Sequence, residues 1–141
     1  MSPLYETQRD RDNEKSISTI LEAEFGCEVA KMPMKLGLDF MACRSGRAVA
    51  FIEFKRRKNR MLDYSTYMIS LHKMRSASSL ARCTGLKCFL VVQWSDAIGM
   101  CEIPPDDMDI RIGGTTRRGD PEDIEPVVHF DLNKFKLICS N

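Results

Sequence analysis

No apolar run in this 141-residue chain approaches the roughly 18–20 residues needed to cross a bilayer as a helix, so a helical membrane span is excluded. The first ten residues, Met1 to Asp10, are polar and hold no apolar centre of the kind a secretory leader needs. Cysteine chemistry is thin as well. Six cysteines, at 27, 43, 83, 88, 101 and 139, stand singly, several inside apolar runs, and no Cys-x-x-Cys pair occurs. That pattern predicts reduced, buried thiols in a cytoplasmic protein and neither a disulfide frame nor a zinc knuckle. Net charge is the third scarcity: 21 Lys and Arg against 20 Asp and Glu leave +1.

What is present suffices for one folded unit. The 43% hydrophobic share is ordinary for a globular core, and the length suits a single domain. The charge is unevenly placed. Up to residue 90 there are 16 Lys and Arg against 10 Asp and Glu; beyond it there are 5 against 10. A near-neutral chain of this kind can still present a basic face to nucleic acid.

Residues 1–12 read as a flexible polar tail and residues 13–141 as the domain. A helix is expected from Asn13, capped by Asp12 or Asn13, because Ile17, Ile20, Leu21 and Phe25 recur at helical spacing before Gly26. Cys27 to Met32 alternates as a strand does, up to Pro33. The runs Leu36–Cys43 and Ala48–Phe54 form a hairpin around Arg44-Ser45-Gly46-Arg47. The second run is apolar on both faces, which predicts a central strand covered by helices on both sides. Thr66 to Thr84 reads as one long helix, with Met68, Leu71, Met74, Ser78 and Leu80 inward and Gly85 as its stop. Lys87–Trp94 is a further buried strand, with Ile98–Ile103 as hairpin partner. Residues 105–126, rich in Gly, Pro and acids, read as a long loop before closing strands at Val127–Phe130 and Phe135–Ile138. The order α-β-β-β-α-β predicts an α/β fold with a mixed central sheet flanked by helices.

Chemistry concentrates on that hairpin. Glu53 and Lys55 occupy alternate positions of an otherwise apolar strand and so share a face. An acid emerging from a strand buried on both sides is uncommon. Whether Asp39, at the start of the preceding strand, meets Glu53 depends on the loop. A two-residue Ser-Gly turn pairs Arg44 with Arg47 and sends the two acids to opposite faces. A three-residue loop, or an equivalent bulge, sets Asp39 opposite Glu53, and this is the arrangement expected. Converging carboxylates repel unless a hard cation sits between them, and Mg²⁺ takes one or two carboxylates with waters and phosphate oxygens. With Lys55 to orient or deprotonate a water, the set suits metal-assisted hydrolysis of a phosphodiester. The plainer reading is a surface Glu53–Lys55 ion pair with Asp39 in a turn. Glu14 falls on the helix face of Ile17 and Leu21, where an acid serves either the helix dipole or a functional site. Glu24 competes for that place, and Glu22 points away.

Asp39, then Glu53-x-Lys55 at the end of an apolar strand, resembles the PD-(D/E)XK nuclease superfamily, whose restriction-endonuclease-like core has the same element order. The likeness spans residues 13–103 and is nearest to Holliday-junction resolvases and to the small phage-type nucleases called VRR-NUC domains. It implies a metal-dependent DNA endonuclease. Asp39, Glu53, Glu14 and the backbone carbonyl of Phe54 would surround Mg²⁺, or Mn²⁺ in its place. Lys55 would serve the attacking water, and Lys73, near the start of the second helix, would support the phosphate or the water. Leu38 stands where the motif's proline would be. The resemblance also implies DNA as partner, the host cytoplasm as setting if the chain is phage-encoded, and a homodimer if a branched substrate is cut at two points.

The run Lys55-Arg56-Arg57-Lys58-Asn59-Arg60 follows the site directly, which makes Arg56, Arg57, Lys58 and Arg60 candidate phosphate contacts. Arg117 and Arg118 are weaker candidates. Tyr64 and Tyr67 suit stacking on a base or anchoring the second helix, with anchoring preferred. His72 faces the site or solvent, and His129 is expected to be structural. A catalytically silent nuclease-like module, binding DNA or a protein, is the alternative to an enzyme.

Overall fold

The computed structural model describes residues 8–32, 37–114 and 124–140. Pro33, Leu36, Arg117 and Arg118 lie outside the described residues. Helix α1 spans Gln8–Phe25 and buries Ile17 and Leu21 completely. Gly26, at φ 59°, ends it by returning its N–H to the Glu22 carbonyl at 2.9 Å. The helix thus starts before Asn13, and neither Asp12 nor Asn13 caps it. Gln8 to Asp12 carry no apolar periodicity to announce a helix, but their side chains pair along its face, as Gln8 Nε2 does with Asp12 Oδ1 at 2.9 Å.

The strands are β1 (Glu28–Lys31), β2 (Phe40–Arg44), β3 (Arg47–Arg56), β4 (Thr66–Ser70), β5 (Lys87–Gln93), β6 (Ala97–Ile103), β7 (Asp109–Gly114), β8 (Ile124–Asp131) and β9 (Lys136–Ser140). Helix α2 (Leu71–Thr84) lies between β4 and β5. Six strands form one sheet in the order β1-β2-β3-β5-β6-β9, and three form a second in the order β4-β8-β7. In the large sheet β3 and β5 run parallel, and the other neighbours are antiparallel. α1 covers one face, where Ile17 and Leu21 pack with Phe40, Ile52, Phe54, Val91 and Ile98. On the other face Met74 and Ala77 of α2 join Phe51, Leu90, Val92, Val128 and Phe130. β3 is therefore central and covered on both sides, as its two-faced apolar pattern predicts.

Two further expectations fail. Thr66–Ser70 is strand β4, paired with β8, and the helix begins only at Leu71. Thr, Tyr and Ile favour the extended backbone, and Ser70 then caps α2, its Oγ accepting from the Lys73 N–H at 3.4 Å. The span 105–126 contains β7 and the start of β8 instead of one long loop. There the alternation Asp109-Ile-Arg-Ile overrides the turn-rich composition around it.

Because α1 docks through only two fully buried side chains, its attachment is sensitive to either. Leu21→Ala is expected to lower stability by about 2–5 kcal/mol. A urea titration would show this as a lower midpoint with an unchanged m-value.

Candidate active site

The hairpin solves its register with both devices at once. Arg44 pairs with Arg47 across a two-residue turn, with Ser45 at φ 54° and Gly46 at φ 75°. The pairing then shifts between Ala42 and Cys43: Cys43 faces Ala48 but Ala42 faces Ala50, which leaves Val49 as an extra bulged residue. Beyond the bulge Phe40 faces Ile52, so the next rung sets Asp39 level with Glu53. The equivalent bulge replaces the three-residue loop.

Asp39 is fixed at three points. Its N–H donates to the Ile52 carbonyl at 3.1 Å, its own carbonyl accepts from the Met32 N–H at 2.8 Å, and its Oδ2 accepts from the Phe54 N–H at 2.8 Å. In an extended strand the N–H and C=O of one residue point to the same edge, so the Phe54 carbonyl opens beside Asp39. Glu53 is 1% exposed. Its Oε2 lies 3.2 Å from Lys73 Nζ and 3.6 Å from Lys55 Nζ, while its Oε1 is buried without a hydrogen-bond partner. Burial and the Asp39 carboxylate push the Glu53 carboxyl up to about 7, against the pull of both lysines.

Glu14, Asp39, Phe54 and Lys55 line one cleft of about 290 Å³, together with Lys31 and Arg56. Since α1 begins at Gln8, Glu14 sits well inside the helix and not at its start. Its carboxylate meets Lys31 Nζ at 3.4 Å. Neither Glu53 nor Lys73 is among the lining residues of this cleft: Glu53 lies buried behind it, and besides Glu53 the Lys73 ammonium donates to the Gly37 carbonyl at 2.8 Å. Among the described residues no three acidic, histidine or cysteine side chains converge into a ready metal cluster. The close acid pair is Asp39 with Glu53, and Glu14 lines the same cleft as Asp39 from α1. The donor set nevertheless fits a hard divalent cation: two carboxylates and a backbone carbonyl, all oxygen, with one carboxylate oxygen buried and unsatisfied.

The basic run leaves the sheet beside this cleft. Arg56 bonds the Asn13 side chain, the Arg57 guanidinium lies 5.2 Å from the centre of the Tyr67 ring, and Arg60 Nε is 3.6 Å from Asp96. Arg56, Arg57 and Lys58 line a second cleft of about 470 Å³ with Arg9, which the polar stretch of residues 1–12 does not single out. Lys31 was also missed, because nothing local marks an alternating strand residue as the partner of a distant glutamate. Glu24 and His72 are exposed. His129 Nδ1 lies 2.9 Å from Thr66 Oγ1, a structural pairing. Tyr67 is buried edge-to-face against Trp94 and Phe135, on β4 and not on the helix. Tyr64 anchors nothing there: it is 66% exposed.

A family model described as "phage putative PDDEXK endonuclease" matches residues 1–138. The chain belongs to this endonuclease family. The solved structure of Archaeoglobus fulgidus Hjc, a Holliday junction resolvase from an archaeal hyperthermophile, is similar with a TM-score of 0.61 and 14% identity, over 91% of this chain and 88% of that one. At such identity the likeness carries the fold, which is restriction-endonuclease-like as expected. No curated protein matches the sequence. In this PDDEXK family member the register of β2 on β3 sets Asp39 level with Glu53.

The Glu53 carboxyl gives the metal-free protein a distinct pH dependence. Held at about 7 when folded, against an ordinary value of 4.5, it binds more protons in the folded state, so its contribution to stability falls as pH rises from 4.5 to 7. Urea midpoints across that window are expected to decline for the wild type and to flatten in Glu53→Gln. An equal slope in the variant would assign the titration to another group.

Proposed function

We propose that this PDDEXK family member is a divalent-metal-dependent DNA endonuclease that hydrolyses phosphodiester bonds, with branched DNA as its preferred substrate. The observation that carries the reading is the buried Glu53 pair of oxygens: one held by two lysines, the other unsatisfied beside Asp39. Asp39, Glu53 and the Phe54 carbonyl would hold Mg²⁺ or Mn²⁺, with Glu14 reaching it through water from the α1 wall. The ion would offset phosphate charge and make a water more acidic.

The chain's own residues do the rest. Lys55 is anchored at Glu53 yet its side chain is 33% exposed and lines the cleft, so its ammonium can donate a hydrogen bond that orients the attacking water and can offset charge on the phosphate. Lys73, engaged by Glu53 and the Gly37 carbonyl, acts as a positioning residue. Arg56, Arg57, Lys58 and Arg60, with Arg9, hold the phosphate backbone without reading sequence. The fold likeness to a resolvase supports the branched substrate, for which a homodimer would supply two sites.

Cleavage of labelled linear duplex, single strand and four-way junction in Mg²⁺, Mn²⁺ or EDTA tests this reading. Metal-dependent cutting is expected, reduced ~100-fold or more in Asp39→Ala, Glu53→Ala or Lys55→Ala. Salt-sensitive binding without cutting would favour the silent module instead. Independently of activity, Mg²⁺ or Mn²⁺ should raise the melting temperature of the wild type and leave that of Asp39→Ala unmoved.

A further inference from the structure

Three clefts adjoin one another along this face. The acid cleft shares Asp10, Asn13 and Arg56 with the basic cleft, and the basic cleft shares Arg57 and Trp94 with a third of about 420 Å³. The third differs in kind. Among the described residues no Asp or Glu lines it, and its one Lys or Arg is Arg57, at the end it shares with the basic cleft. Tyr64, Tyr67 and Trp94 contribute aromatic wall, and Thr66 and His129 contribute polar groups. Tyr64 leaves two thirds of its surface open to solvent, and Tyr67 is buried beside the Arg57 guanidinium. The Thr66–His129 pair uses one ring nitrogen, which leaves the other and the remaining hydroxyl capacity for a ligand.

A nucleobase needs a π-face, a few hydrogen-bonding groups and an exit for its charged sugar-phosphate. This cleft has the first two, and the basic cleft provides the third. Its volume lies in the range of about 300–1,000 Å³ usual for small-molecule sites. We propose that the cleft between the basic run and β4 receives an unpaired base splayed from the bound strand, with Tyr64 as its stacking partner. This rests on the DNA-endonuclease reading and gives it a substrate class: DNA with a bulge, flap or branch point.

The test is binding in EDTA, with the full chain titrated into a duplex carrying 2-aminopurine as a single-nucleotide bulge and into one carrying it paired. The wild type should bind the bulged DNA more tightly and change its fluorescence. Tyr64→Ala should weaken that binding roughly ten-fold, Thr66→Val should act in the same direction, and both should leave paired duplex within two-fold. Equal wild-type affinity for the two DNAs, or equal weakening of both by Tyr64→Ala, overturns the pocket. Cleavage assays on the same DNAs separate the two readings. A bulge preference lost in Tyr64→Ala, but with no cutting in Mg²⁺ or Mn²⁺, keeps the pocket and removes the nuclease. Cutting without any bulge preference does the reverse, and no DNA binding removes both.

Discussion

A carboxylate buried at the end of a central strand organises this molecule. Leaving water costs an ionised group several kcal/mol unless its surroundings compensate. Glu53 is compensated on one oxygen only, by Lys55 and Lys73, and Asp39 opposes its charge. The arrangement is thus incomplete as a structural ion pair and well matched to a cation shared with Asp39. A surface ion pair with Asp39 in an ordinary turn is excluded by the 1% exposure of Glu53.

The surrounding fold follows from keeping those groups in place. Val49 is extruded so that Asp39 and Glu53 come level. Gly37, at φ 92°, allows the chain before Asp39 to approach α2, since a Cβ there would lie 2.6 Å from Ser76 Oγ. That approach brings the Gly37 carbonyl to Lys73 and ties the start of α2 to the acid pair. On the other face, Ile17 and Leu21 dock α1 at three and seven residues beyond Glu14. The packing that closes the core therefore also places an acid on the cleft wall.

The central strands, the hairpin and the acid-x-lysine pattern were legible because each is a local property: two-faced apolar runs, a Ser-Gly turn, alternation along one strand. The bulge was legible only in its effect. A three-residue loop and a two-residue turn with a bulge absorb the same surplus residue, and counting residues cannot tell them apart. β4 was misread because Met68, Leu71 and Met74 keep helical spacing through Ser70, while its pairing with the distant β8 leaves no mark within the segment itself. The exposure of Tyr64 and the place of Arg9 are likewise set by tertiary neighbours. Neither a tyrosine in a turn nor an arginine in a polar stretch carries local evidence of the surface it will form.

The path of β3 out of the core also separates two kinds of electrostatics. Over Glu53 to Arg60 the chain passes from full burial, through the one-third exposure of Lys55, to arginines in open solvent. Effective dielectric rises along that path, so charge interactions at the Glu53 end are strong and little affected by salt. Those at the Arg56–Arg60 end are weak, additive and screened at physiological ionic strength. Under the proposed function, one strand exit would hold reacting groups rigidly at its buried end while letting a polyanion bind and leave at its exposed end. On that reading salt would govern how often DNA is engaged and leave the geometry of the acid pair untouched.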